Sequence, residues 1–165
     1  MEGHKIFVRH AKAVPLDRRL SIPLLKDSIR TALTCENVGI PCEVNVLVTD
    51  DKGIREVNRE FRGMDRPTDV LSFPMQEFSP GEYGGAEHDP ETGLVPLGDI
   101  VLSVEHVDKQ AMEYGQSRAR EAVYLSIHSV LHLLGYDHVD EAEEKRQMRR
   151  REEAIMECLD NAEKL

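Results

Sequence analysis

The chain has 165 residues with 40% hydrophobic, 32% charged and 5% aromatic residues, no tryptophan and a formal charge of −10. Folding at this length buries roughly 70% of the surface of the unfolded chain, so neither a disulfide framework nor a metal is needed merely to hold a core together, and the composition is not that of a disordered chain. No stretch approaches the roughly 18 uninterrupted apolar residues of a membrane span, and Glu2, Lys5, Arg9 and Lys12 break any signal-peptide core, so a cytoplasmic protein with no membrane partner is expected.

In chain order, residues 5–9 read as a first strand. Leu24, Leu25, Ile29, Ala32 and Leu33 recur at helical spacing within a helix over about 22–38, ended by Gly39 and Pro41. The run CEVNVLVTD at 42–50 alternates and is rich in valine, as a half-buried strand should be. Thr49, Asp50 or Asp51 caps a short helix to about Phe61, and Pro67 and Thr68 turn the chain into a strand at 69–73. The segment 76–96 is rich in glycine, proline and acid and reads as a long surface loop. A fourth strand follows at 98–103, then helices over about 104–114, 117–134 and 140–163. These elements predict one α+β domain over 1–165, a small mixed sheet of about four strands packed with several helices. Strand order is not legible at this stage.

Net acidity argues against a polyanionic partner, because nucleic-acid binding rests on Lys and Arg neutralising phosphates. The charge is unevenly spread, however. Residues 75–100 contain six acids and no Lys or Arg, while Arg55, Arg59, Arg62 and Arg66 form a local basic series and Arg149, Arg150 and Arg151 a second. A locally positive groove is compatible with that distribution. With Glu152, Glu153 and Glu157 beside it, the second series reads as an ion-paired helix surface. Cys35, Cys42 and Cys158 are odd in number and lack a C-x-x-C pair, so reduced thiols are expected.

The run HSVLHLLGYDH carries the chemistry. His128 and His132 lie about 40° apart on a helical wheel, so both rings leave one face with a turn between them. Gly135 suits a left-handed helix end that lets His138 fold back toward them. A lone histidine pair at this spacing is commonly just packed or exposed on its helix. The glycine turn and the third histidine make a metal site the better reading, at the end of a helix in the C-terminal half. Three imidazoles fill three corners of a zinc tetrahedron and leave the fourth for water, which suits a catalytic ion, whereas structural zinc is closed by four protein ligands and usually uses cysteine. The spacing is also that of the metzincin peptidases, except that Ser129 stands where they carry the glutamate base, and Met148 and Met156 lie inside a helix rather than in a methionine turn. His4, His10, His88 and His106 have no partner spacing and read as ordinary histidines.

Upstream, FRGMDRPTDVLSFP (61–74) is followed by LGDIVLS (97–103) and then by the histidine run. With these three stretches in order, the sequence resembles the YbeY family of single-strand-specific endoribonucleases, firmly over about 43–140. The resemblance implies one zinc ion per chain on His128, His132 and His138, and makes Arg62, with the three histidines, the catalytic set. It implies single-stranded and ribosomal RNA as substrate, a part in 3′-end maturation of small-subunit RNA and in ribosome quality control, and the ribosome or its proteins as partners. At position 129 the family usually has glycine. The alternatives carried forward are a zinc metallopeptidase-like hydrolase and a non-catalytic, ribosome-associated zinc protein. Asp137 either orients a histidine or the water, or caps the turn. Arginine's planar fork matches two phosphate oxygens at once, which is the role expected of Arg62.

Overall fold

The computed structural model of the protein describes residues 3–17, 20–137 and 142–165. Its elements in chain order are β1 (Lys5–His10), α1 (Ile22–Cys35), β2 (Cys42–Thr49), α2 (Asp51–Arg62), β3 (Val70–Pro74), β4 (Val95–Ser103), α3 (Val104–Glu113), α4 (Arg118–Leu133) and α5 (Ala142–Asn161). The expected elements are all present, with ends shifted by a few residues. The sheet order is β1-β2-β4-β3, with β1, β2 and β4 parallel and β3 antiparallel to β4. The α+β reading with a four-stranded mixed sheet therefore holds.

Local chemistry accounts for the helix ends. Ser21 caps α1 by accepting from the Leu24 amide at 3.3 Å, and Asp50, rather than Thr49 or Asp51, caps α2 by accepting from the Gly53 amide at 2.8 Å. Helix α2 stops at Arg62 because Gly63 adopts a left-handed φ of 70° and turns the chain away. The Asn58 side chain then donates to the Arg66 carbonyl at 2.9 Å, holding the loop that leads into β3. Strand β4 begins at Val95, earlier than the glycine at 98 suggested. Val95 aligns with Cys42, and a register shift between Glu43 and Val44 takes up the residues around Pro96.

The core lies on one face of the sheet. Val44, Val46 and Val48 of β2 and Leu97, Ile100 and Leu102 of β4 pack under α1, α4 and α5, while α2 closes the other face with Ile54 against Leu71 and Val101. Helix α4 is buried along most of its circumference, leaving Tyr124, His128 and His132 half-buried on one stripe. Burial fixes the roll of that helix, and so fixes where the stripe points. Between the stripe and β3, one of the two edge strands, lies a cleft. No helix among them is long and apolar enough to cross a membrane.

Candidate active site

The cleft has a volume of about 760 Å³, and its walls include Arg62 from the end of α2, Ser72 from β3, His128 and His132 from α4, and Asp137. The two histidine rings stand nearly perpendicular with centroids 4.6 Å apart, and their Nε2 atoms are 3.1 Å from each other. The outer nitrogens are both engaged. His132 Nδ1 lies 3.0 Å from the Tyr136 carbonyl and His128 Nδ1 lies 2.5 Å from Glu152 Oε2. A carbonyl or a carboxylate only accepts, so both Nδ1 atoms donate, and in the neutral rings both Nε2 atoms present lone pairs toward one point. A cation at that point satisfies both lone pairs with both rings neutral. Zinc fits, since two nitrogens about 2.0–2.1 Å from a tetrahedral ion lie roughly 3.3 Å apart. His138, the third expected ligand, lies outside the described residues.

Sequence reasoning missed the groups that hold these rings. Glu152 was grouped with an ion-paired surface, but it is 4% exposed and lies in the apolar stripe of α5 with Met148, Ile155, Met156 and Leu159. Tyr124 donates to its other oxygen at 3.0 Å, and burial together with the Glu152 charge pushes the Tyr124 phenol well above its usual range, so it stays a donor. The stripe in α5 was the available signal, a carboxylate at helical spacing among apolar residues. On the second histidine, Tyr136 is pinned by its hydroxyl donating to Glu36 at 2.6 Å, and Glu36 is in turn held by Arg151 at 2.6 Å. Arg151 therefore braces the histidine turn through Glu36, just past the end of α1, rather than pairing within its own helix, whereas Arg150 does pair within the helix, with Glu143 at 3.2 Å rather than with the expected acids, and shares it with Arg146.

Gly135 ends α4 with a φ of +99°, and a Cβ there would lie 2.1 Å from the Phe78 carbonyl. The acidic segment thus reaches the site through its backbone. It also buries Tyr83, edge-on to Phe78 at 5.3 Å, while Glu77, Glu82, Glu87, Asp89 and Glu91 face solvent. Gly135→Ala incurs left-handed strain of about 1–3 kcal/mol before any clash. Thermal unfolding is expected to show a Tm lower by at least about 2 °C, at roughly 2–4 °C per kcal/mol for a chain of this size. An unchanged Tm would mean the turn is not held against Phe78.

Arg62 is exposed at the mouth of the cleft and has no ion pair among the described residues, whereas Arg55 and Arg59 lie 2.8 and 4.0 Å from Asp65. The structure brings Arg62, His128 and His132 to one cleft. Ser129 is buried, with its hydroxyl 2.7 Å from that of Ser72, so the position that holds the base in the peptidase pattern carries no acid–base group. Cys158 meets Cys35, Sγ to Sγ 3.6 Å, and is no part of the cleft wall. His106 is not unpartnered, since its Nδ1 lies 2.5 Å from Asp51.

An α+β layer with a histidine pair and an arginine facing one cleft defines a hydrolase-like site, and comparison with known proteins narrows it. The family described as Endoribonuclease YbeY matches residues 9–160. Among curated relatives, the endoribonuclease YbeY of Clostridium kluyveri is 45% identical over 141 residues, covering 81% of this chain and 85% of that one. The protein of the same name from Thermoanaerobacter pseudethanolicus is 49% identical over 138 residues, covering 82% and 86%. The solution structure of TM1509 from Thermotoga maritima is similar with a TM-score of 0.59 and 27% identity, covering 92% of this chain and 87% of that one. The chain belongs to the YbeY endoribonuclease family, and RNA is its substrate.

Proposed function

We propose that the chain is a zinc-dependent endoribonuclease that cleaves single-stranded RNA, with its place in 3′-end maturation of small-subunit ribosomal RNA and in ribosome quality control, where the ribosome or its proteins are partners. The observation that carries the metal is the pair of Nε2 atoms 3.1 Å apart whose rings are both oriented from behind. His128, His132 and His138 would hold one zinc ion, which supplies Lewis acidity at the reacting phosphodiester. Glu152 and the Tyr136 carbonyl keep the ring protons on Nδ1 and so keep both Nε2 atoms available. Arg62 binds the non-bridging phosphoryl oxygens through two parallel N–H groups and stabilises the charge that grows there. The half-buried histidines favour a single strand, which can bend its backbone down to them, over a stiff duplex.

Elemental analysis of purified protein is expected to give one zinc per chain. Cleavage of labelled single-stranded RNA should stop on chelation and return with added zinc. Undiminished cleavage by zinc-free protein would overturn the metal-dependent reading. The cellular assignment predicts that loss of the protein leaves small-subunit RNA with unprocessed 3′ ends, and normal ends would refute it.

A further inference from the structure

Next to the cleft lies a second hollow of about 490 Å³ that shares Tyr114, Glu121 and Tyr124 with it. We propose that this hollow is a nucleobase subsite that selects guanine, with Glu121 reading the base edge and Tyr114 stacking on the ring. The inference rests on RNA being the substrate and adds the base that the cleft accepts.

Helix α4 sets the geometry. Glu121, Tyr124 and His128 are spaced i, i+3 and i+7 on one face, so the carboxylate lies about 10 Å along the helix from the first histidine. Glu121 is 2% exposed yet has no cationic partner among the described residues; the Gln116 side-chain amide donates to Oε2, and Oε1 accepts no hydrogen bond. A buried carboxylate in that condition is costly unless a donor reaches it. In the adjoining cleft the Gln110 side-chain amide donates to Asp69 at 3.1 Å and is thereby taken up. Glu153, Glu157 and Asp160 also line the hollow, and its one lining cation among the described residues, Arg120, is ion-paired to Asp160 at 2.7 Å, so the wall stays net negative.

Such a surface repels phosphate and accepts hydrogen bonds, which leaves a neutral ring bearing donors as the matching ligand. Guanine alone among the RNA bases presents two adjacent donors, N1–H and N2–H, that meet both oxygens of one carboxylate. Adenine and cytosine offer one amino group beside an acceptor, and uracil one N–H between two carbonyls. Tyr114, 68% exposed at the rim, supplies the aromatic face on which a base splayed out of a single strand stacks.

The test measures binding of the intact protein to uncleavable 2′-O-methyl hexamers by fluorescence anisotropy. A uridine hexamer carrying one guanosine is compared with one carrying inosine, which lacks the N2 amino group. Guanosine should bind at least about fivefold tighter, the lower end for one bidentate base contact. Glu121→Gln should shrink that ratio to below about twofold, and Tyr114→Ala should weaken both hexamers alike. Equal affinity of the wild-type protein for the two hexamers overturns the proposal without recourse to any variant, and so does an undiminished ratio in folded Glu121→Gln. Because nothing is cleaved, failure of the zinc reading would appear as absent RNA cleavage while the base preference persisted.

Discussion

Alanine at His132 is expected to leave the protein without stoichiometric zinc and to lower cleavage of single-stranded RNA more than any other substitution considered. The ring is one of two whose Nε2 atoms converge to 3.1 Å, so its loss removes half of that pair. The fold should tolerate the change, because His132 is half-buried on the cleft stripe while the buried faces of α4 are formed by other residues. Glu152→Gln separates holding the metal from orienting its ligand. It keeps the side chain's size and its bond with Tyr124 but weakens the hold on His128 Nδ1, so zinc affinity should fall by about 10–100-fold, the usual effect of losing a partner behind a ligand. The measurement is zinc content by elemental analysis with titration against a chelator of known affinity, beside the cleavage rate. Wild-type zinc content in His132→Ala would remove the histidine pair from the site.

The parts of the site that were legible in the sequence are those that helix geometry alone determines. Two histidines four residues apart share a face in any helix, and Gly135 announces its own turn because only glycine tolerates that backbone there. The groups that orient the rings were hidden, since Glu152 meets His128 only through the packing of α5 on α4, and Glu36 meets Tyr136 only through the end of α1. The apolar spacing of Met148, Ile155, Met156 and Leu159 marks Glu152 as turned inward, but nothing in the sequence says that it meets a histidine. Strand order was hidden for a related reason. That β4 lies between β2 and β3, parallel to one and antiparallel to the other, follows from pairing between residues far apart in the chain, and alternation within a strand carries no partner's identity. The acidic segment read as surface because its charges are at the surface, yet Tyr83 and the Phe78 carbonyl tie it to the core and to the histidine turn.

Arg62→Ala should reduce cleavage by about 10²–10³-fold, the range for removing one donor aimed at developing charge, with zinc content unchanged. The expectation rests on placement. The residue ends α2, where Gly63 turns the chain away, and the loop behind it is held by Asn58 on the Arg66 carbonyl, so the guanidinium starts from a fixed backbone beside the cleft. Its neighbours Arg55 and Arg59 are drawn to Asp65, whereas Arg62 has no such ion pair among the described residues and is available to a phosphate. Arg62→Lys decides between charge and shape. Lysine keeps the positive charge but presents a point donor in place of a planar fork, so a bidentate contact predicts that most of the loss persists in kcat while KM moves little. Near wild-type kcat in Arg62→Lys would reduce the role of this side chain to attraction of the polyanion. In that case the defect of Arg62→Ala should lie in KM and grow with salt, because exposed charge is screened within about 8 Å at physiological ionic strength.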